Sequence, residues 1–192
     1  MMRFLAVVFV LFLATAPALA QVPKWNVDHA ESRVGFTAWQ SGTPVPGAFE
    51  SFKADIRFDR DRPEESSVDV RIDIASVSTG SMDRDQTIKS PSLFHAREFP
   101  TARFKADSFV RGEGDTYIAQ GELTMRGETH PVDLPFNLQI DENVGELRAV
   151  ADGEVTVQRL RWGIGQGQWE DTSMVPNDVR IEIRIVATRP VD

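Results

Sequence analysis

The sequence has 192 residues, with 21 lysines and arginines against 29 aspartates and glutamates, for a formal net charge of −8. A balance this acidic argues against nucleic acid and against anionic lipid headgroups as partners. Cysteine is absent, so no disulfide and no lipid-modified cysteine can form, and core packing alone must hold the chain.

The first twenty residues read as a segment apart. Arg3 gives a positive start, Phe4 to Ala14 an apolar stretch too short to span a bilayer, and Ala18-Leu19-Ala20 a small-residue cleavage site. The pattern predicts a secretory signal peptide over residues 1–20, cleavage before Gln21, and one mature domain over residues 21–192. A periplasmic or extracellular address follows. Losing Arg3, the only charge in that segment, takes the net charge to about −9.

Lys24 to Asp28 reads as a short strand, and Ser32 to Trp39 as a second with Val34, Phe36 and Ala38 on one face. Ser41 to Gly47 holds two prolines and two glycines and reads as a loop. Two cleanly alternating runs follow. Phe52, Ala54, Ile56 and Phe58 alternate with Lys53, Asp55, Arg57 and Asp59; Val68, Val70, Ile72 and Ile74 then alternate with Asp69, Arg71 and Asp73. A period of two puts apolar side chains on one face and charges on the other, which is the pattern of an antiparallel pair with one dry face.

The pattern changes after Val77. Ser81 to Lys89 reads as a short helix, with Ser81 as cap, Asp83 and Asp85 at the positive end and Lys89 at the other. Ser90-Pro91 ends it and opens a turn that carries Leu93 and Phe94. Strands resume at Thr101–Val110, Thr116–Met125, Thr129–Ile140, Leu147–Val157 and Val179–Ile185, separated by hairpin-length turns. Gly153 marks a bulge or bend. Eight or nine regularly spaced strands with one short helical insertion predict an all-β sandwich or closed barrel. A closed eight-stranded barrel has no edge strands and can hold one small ligand.

No catalytic set stands out. His29, His95 and His130 are far apart and none has the spacing of a metal-ligand pair. Asp83 and Asp85 suit the helix dipole better than acid–base work, because residues two apart diverge on a helix. Gly163-x-Gly165-x-Gly167 lacks the lysine and the helix of a phosphate loop. For a hydrolase acting on a lipid amide or ester, the only candidates are His95 and Asp85.

More distinctive is the supply of large apolar side chains on one side. The candidate ligand wall comprises Phe36, Phe49, Phe52, Ile56, Phe58, Ile72, Phe104, Leu134 and Phe136 from the strands. Ile88, Leu93 and Phe94 join it from the helical insertion, and Trp162, Ile164 and Trp169 from the glycine-rich Arg161–Trp169 loop. Taken singly, the strand residues serve a solid core as well as a pocket. The aromatics on loops have fewer structural reasons to exist and suit a pocket mouth.

Several pieces taken together carry a family likeness. They are Trp25-x-Val27-Asp28-x-x-x-Ser32-x-Val34-x-Phe36, Gly47-x-Phe49-x-x-Phe52 running into Ile56-x-Phe58-Asp59, and Ile72-x-Ile74-x-Ser76-Val77-x-Thr79 with Arg84-Asp85 beyond it. Phe94 with Phe99-Pro100-x-Ala102-x-Phe104, Gly121-x-Leu123-Thr124-x-x-Gly127, His130-Pro131-Val132 and the Arg161–Trp169 loop complete the set. In order and spacing the mature chain resembles the YceI-like family. The Pro-rich Thr43 to Gly47 stretch departs from that family's pattern.

The resemblance implies an extended, lipocalin-like antiparallel eight-stranded barrel that binds rather than catalyses. Its expected ligand is a long isoprenoid chain, such as a polyprenyl lipid or a quinone tail. Beyond such a bound lipid no cofactor is expected, and the residues themselves offer no metal site. The resemblance also implies a periplasmic location, frequent homodimers, and a membrane-bound b-type cytochrome as a partner for some members. Two other readings remain open from the residues: a solid-core interaction or stress-response module, and the lipid hydrolase.

Overall fold

The computed structural model describes residues 21–191, so the predicted signal peptide lies outside the described residues. Eleven strands and one α-helix run in the order β1 (Lys24–Val27), β2 (Arg33–Gln40), β3 (Thr43–Phe49), β4 (Phe52–Arg57), β5 (Ser67–Asp73), β6 (Val77–Ser78), α1 (Met82–Lys89), β7 (Thr101–Arg111), β8 (Thr116–Met125), β9 (Glu128–Asn143), β10 (Glu146–Gln158) and β11 (Asp178–Pro190). The pairing β1-β4-β5-β7-β8-β9-β10-β11 closes on itself, because Asn26 and Val27 of β1 pair with Thr188 and Ala187 of β11. The result is a closed, eight-stranded antiparallel barrel.

The three remaining strands form a second tier on three of these eight. Past Val27 the chain bends and continues as β2, which pairs with Arg180–Arg184 of the same β11 edge. In the same way β3 stands over β4 and β6 over β5, each pair separated by a short break. Beyond β6 no described strand continues this tier. The helix α1 and residues 90–100 fill that side, and the N–H of Ile74 donates to the carbonyl of Pro100 at 2.9 Å to seal the join.

The prolines explain where the sheet is paired on one side only. Residues 43–47, expected as a loop, belong to β3, with Pro44 opposite Trp39 and Pro46 opposite Thr37. Both prolines have the same parity, and the far edge of β3 is paired only at Ala48 and Phe49. Their missing N–H groups therefore cost no ladder bond. Pro131 and Pro135 follow the same rule: this half of β9 pairs with β8, whereas β10 meets β9 only from Phe136 onward. Gly153 is neither bulge nor break in the β10–β11 ladder, whose register runs through it. It faces Phe136 at the point where β10 parts from β9, and a Cβ there would press on the carbonyl of Pro135 at 2.8 Å. The register shift in the barrel lies instead in β7, between Ala106 and Ser108.

Buried apolar residues fall into two clusters, one at each end. Trp25, Phe58, Phe109, Tyr117 and Leu138 gather at one end, with Ala106, Ala119, Ala149 and Ala187 among them. Ile74, Leu123, Met125, Val157, Trp162 and Ile164 gather at the other, under α1.

Candidate functional site

The interior of the barrel is hollow. A cavity of about 550 Å³ runs between the two clusters, well within the range of small-molecule sites. Its hollowness shows in the wall: Phe36, Phe49, Ile56, Phe104, Leu134 and Phe136 all face inward yet keep intermediate solvent exposure. In a solid core these side chains would be covered. Small inward residues make the room, among them Ala38, Ala102, Ala119, Ala149 and Ala151.

One end is sealed by rings. Phe58 meets Phe109, Tyr117 and Phe136 edge-on with centroids 5.5, 5.3 and 6.3 Å apart, and Tyr117 stacks on Phe136 at 5.7 Å. Edge-to-face and offset contacts at these distances are the favoured aromatic geometries. Trp25 completes the plug, with its indole N–H donating to the carbonyl of Phe58 at 2.9 Å.

The other end carries the polar lining. Gln40, Ser81, Asp83, Arg84, Thr87 and Arg159 all border the cavity there, and Gln40 and Asp83 reach solvent. The helix α1 is held across this end by Thr79: its N–H and hydroxyl donate to Asp85 Oδ1 at 2.9 and 2.6 Å. Arg84 donates Nε to Thr79 Oγ1 at 2.9 Å and Nη2 to the Thr79 carbonyl at 3.0 Å. Ser81, expected to cap the helix, stands at the N-cap position without a side-chain capping bond; Asp85 reaching back to Thr79 fixes the start instead. Residues 90–100 are tied down by Arg126, whose Nη1 donates to the carbonyls of Pro91 and Leu93 at 2.7 and 2.6 Å. The carbonyl of Ser92 accepts from the N–H groups of Gly165 and Gln166.

Arg159 is 5% exposed. Its Nε donates to the carbonyl of Pro176 at 3.0 Å, Nη1 to that of Ile164 at 2.8 Å and Nη2 to that of Val175 at 2.9 Å. Burial lowers its pKa from the ordinary arginine value. No carboxylate forms an ion pair with it among the described residues. Gly165 makes its place: at φ +125° and with any Cβ colliding with Arg159 Nη1, that position takes no larger residue without displacing the guanidinium.

Of the fifteen residues proposed from the sequence as a ligand wall, thirteen border the cavity: Phe36, Phe49, Ile56, Phe58, Ile72, Ile88, Leu93, Phe94, Phe104, Leu134, Phe136, Ile164 and Trp169. Phe52 and Trp162 do not. Phe52 packs its ring on His29, with centroids 4.8 Å apart. Trp162, expected at a mouth because it sits in a glycine-rich loop, is 1% exposed. Its indole N–H donates to the carbonyl of Leu123 at 2.9 Å, and its ring packs perpendicular to that of His130 with centroids 5.0 Å apart. A buried indole with a satisfied N–H is a packing element.

Sequence reasoning missed Trp25, Trp39, Arg84 and Arg159 as lining residues. A signal for the last was present. Ala149, Ala151, Val155, Val157 and Arg159 share one parity, so the inward stripe of β10 runs directly into the arginine.

The pair considered for hydrolysis does not assemble. Asp85 is engaged with Thr79, and His95 Nδ1 lies 3.0 Å from Glu98. Among the described residues no group of three histidines and carboxylates is placed to hold a metal.

A closed eight-stranded barrel around an apolar cavity, with rings at one end and a helix across the other, defines a lipocalin-like architecture. A family model described as YceI-like domain matches residues 25–187, and the chain belongs to that family. The chain is 34% identical to the UPF0312 protein plu2095 of Photorhabdus laumondii over 129 residues, 67% of each chain. It is 32% identical to Protein YceI of Salmonella arizonae over 147 residues, 75% of this chain and 76% of that one. Among solved structures, BcnA of Burkholderia cenocepacia superposes with a TM-score of 0.78 at 30% identity, covering 84% of this chain and 99% of that one. A polyisoprenoid binding domain from Saccharophagus degradans shares the fold, with a TM-score of 0.66 at 13% identity over 86% of this chain and 98% of that one.

Proposed function

We propose that this protein is a periplasmic carrier that encloses one long apolar isoprenoid-type lipid, a polyprenyl chain or a quinone tail, in its barrel. The observation that carries this reading is the cavity of about 550 Å³ whose wall is apolar except at one end. An apolar void of this size has no structural purpose in a small domain, since unfilled volume costs packing energy. Membership of the YceI-like family supports the reading, as does the isoprenoid ligand class given for the Saccharophagus degradans domain of the same fold. A long chain laid against the wall gains about 25 cal/mol for each Å² of apolar surface removed from water.

The test is mass spectrometry of organic extracts from the natively purified mature protein. A prenyl lipid or quinone in near-stoichiometric amount is the expected result. A blank extract from folded protein, together with no uptake of added prenyl lipids, would return the barrel to the class of interaction modules. Phe94→Asp places a charge in the wall next to Phe49, 6.0 Å away, and lowers lipid retention at least tenfold.

A further inference from the structure

Resting on that reading of the cavity, we propose that Arg159 selects for a lipid whose head carries a negative charge, a carboxylate or a phosphate, held at the α1 end of the cavity. The guanidinium sits on the inward stripe of β10, borders the cavity, and is 5% exposed. Its three nitrogens donate to three backbone carbonyls, all neutral. An arginine has five N–H groups, so two remain on Nη1 and Nη2 beyond those three bonds. A buried cation without a counter-charge is costly, and a carboxylate or phosphate laid against it removes that cost through charge-assisted hydrogen bonds.

A role confined to ordering the loop would need donors and no charge. Gly165 leaves out the side chain that would displace the guanidinium, and the group kept in that room is a cation with only neutral partners. Other charges at this end do not compensate it. Arg84 is committed to Thr79, and Asp83, the only carboxylate bordering the cavity among the described residues, stands exposed at the rim, where water screens it. With the head near Arg159, the tail extends toward the rings around Phe58.

The experiment uses four probes with one tail, titrated into delipidated mature protein at pH 8: dodecanoate, dodecyl phosphate, dodecanamide and dodecanol. Hydrophobicity alone ranks dodecanol first. The expected result is the reverse, with at least one charged probe binding at least tenfold more tightly than both neutral ones; which charged probe leads names the head. Arg159→Gln narrows the gap to less than twofold, and Arg159→Lys restores part of it, which a purely structural role would not do. Equal affinities for charged and neutral probes in the wild-type protein overturn the proposal, as does a tenfold gap that survives in Arg159→Gln. If Arg159→Gln does not fold, the wild-type series decides alone. Failure of all four probes and of prenyl alcohols to bind would instead overturn the carrier reading.

Discussion

The two ends of the barrel are closed by different physics. At the Phe58 end, four rings and an indole fill the opening, and hydrophobic contact does the closing. At the α1 end, two arginines collect the carbonyls of otherwise irregular segments: Arg126 holds Pro91 and Leu93, and Arg159 holds Ile164, Val175 and Pro176. Side-chain packing is non-directional and resists opening as a unit. Carbonyls gathered on a guanidinium can be released a few at a time, which predicts that the second end opens while the barrel stays folded.

The largest effect should come from breaking the first kind of closure. Phe58→Ala removes the ring at the centre of the plug and costs about 3–5 kcal/mol of global stability in chemical denaturation. Breaking the second kind costs less and is local. Gly165→Ala forces a Cβ into Arg159 at a backbone angle that suits glycine, and costs about 2–3 kcal/mol. Its signature is loss of discrimination between charged and neutral probes with the barrel intact by circular dichroism. Arg126→Ala gives up two charged hydrogen bonds, about 1–2 kcal/mol in all. Amide exchange should accelerate in residues 90–100 while the Phe58 end keeps its protection; uniform acceleration through the barrel would erase the distinction between the ends.

Two smaller effects sharpen the comparison from outside it. Val144 occupies the first position of the β9–β10 turn with φ +36° and is 99% exposed. A β-branched residue is poorly suited to that angle, so Val144→Asn gains up to about 1 kcal/mol in thermal melts without touching ligand retention. On the outer wall, Arg103 grips Asp69 with contacts of 2.9 and 2.6 Å and holds its carboxyl below the ordinary aspartate value of 3.8. Because the folded pKa is the depressed one, this stabilisation is full above 3.8 and fades as the pH falls through the folded value. Asp69→Asn should lower stability modestly at neutral pH and flatten the profile below pH 4, where variant and wild type converge.

This contrast also decides what could be read from the sequence. The Phe58 end was legible because it is made of alternating strands: Ile56 and Phe58, or Leu134, Phe136 and Leu138, declare their face by parity alone. The helix was legible from its charges, although Ser81 does not cap it. The upper tier was harder. Pro44 and Pro46 spoke for a loop, and only the one-sided pairing of β3 accommodates them as strand. Trp162 was misplaced because its partner is a backbone carbonyl distant in sequence, at Leu123, and a carbonyl leaves no trace in composition or spacing. Arg159 had its parity with Val155 and Val157 as a signal, but the carbonyls up to Pro176 that hold it inside had none.

The ring plug has one more implication. A tube stopped at one end is a queue with a single door: whatever goes in foremost comes out hindmost. On the proposed carrier reading, a chain lodged against Phe58 leaves head leading, and a receiver engages the head before it draws out the tail. Traffic through such a vessel has a built-in sequence, set by the blind end and independent of which membrane or enzyme stands at the door.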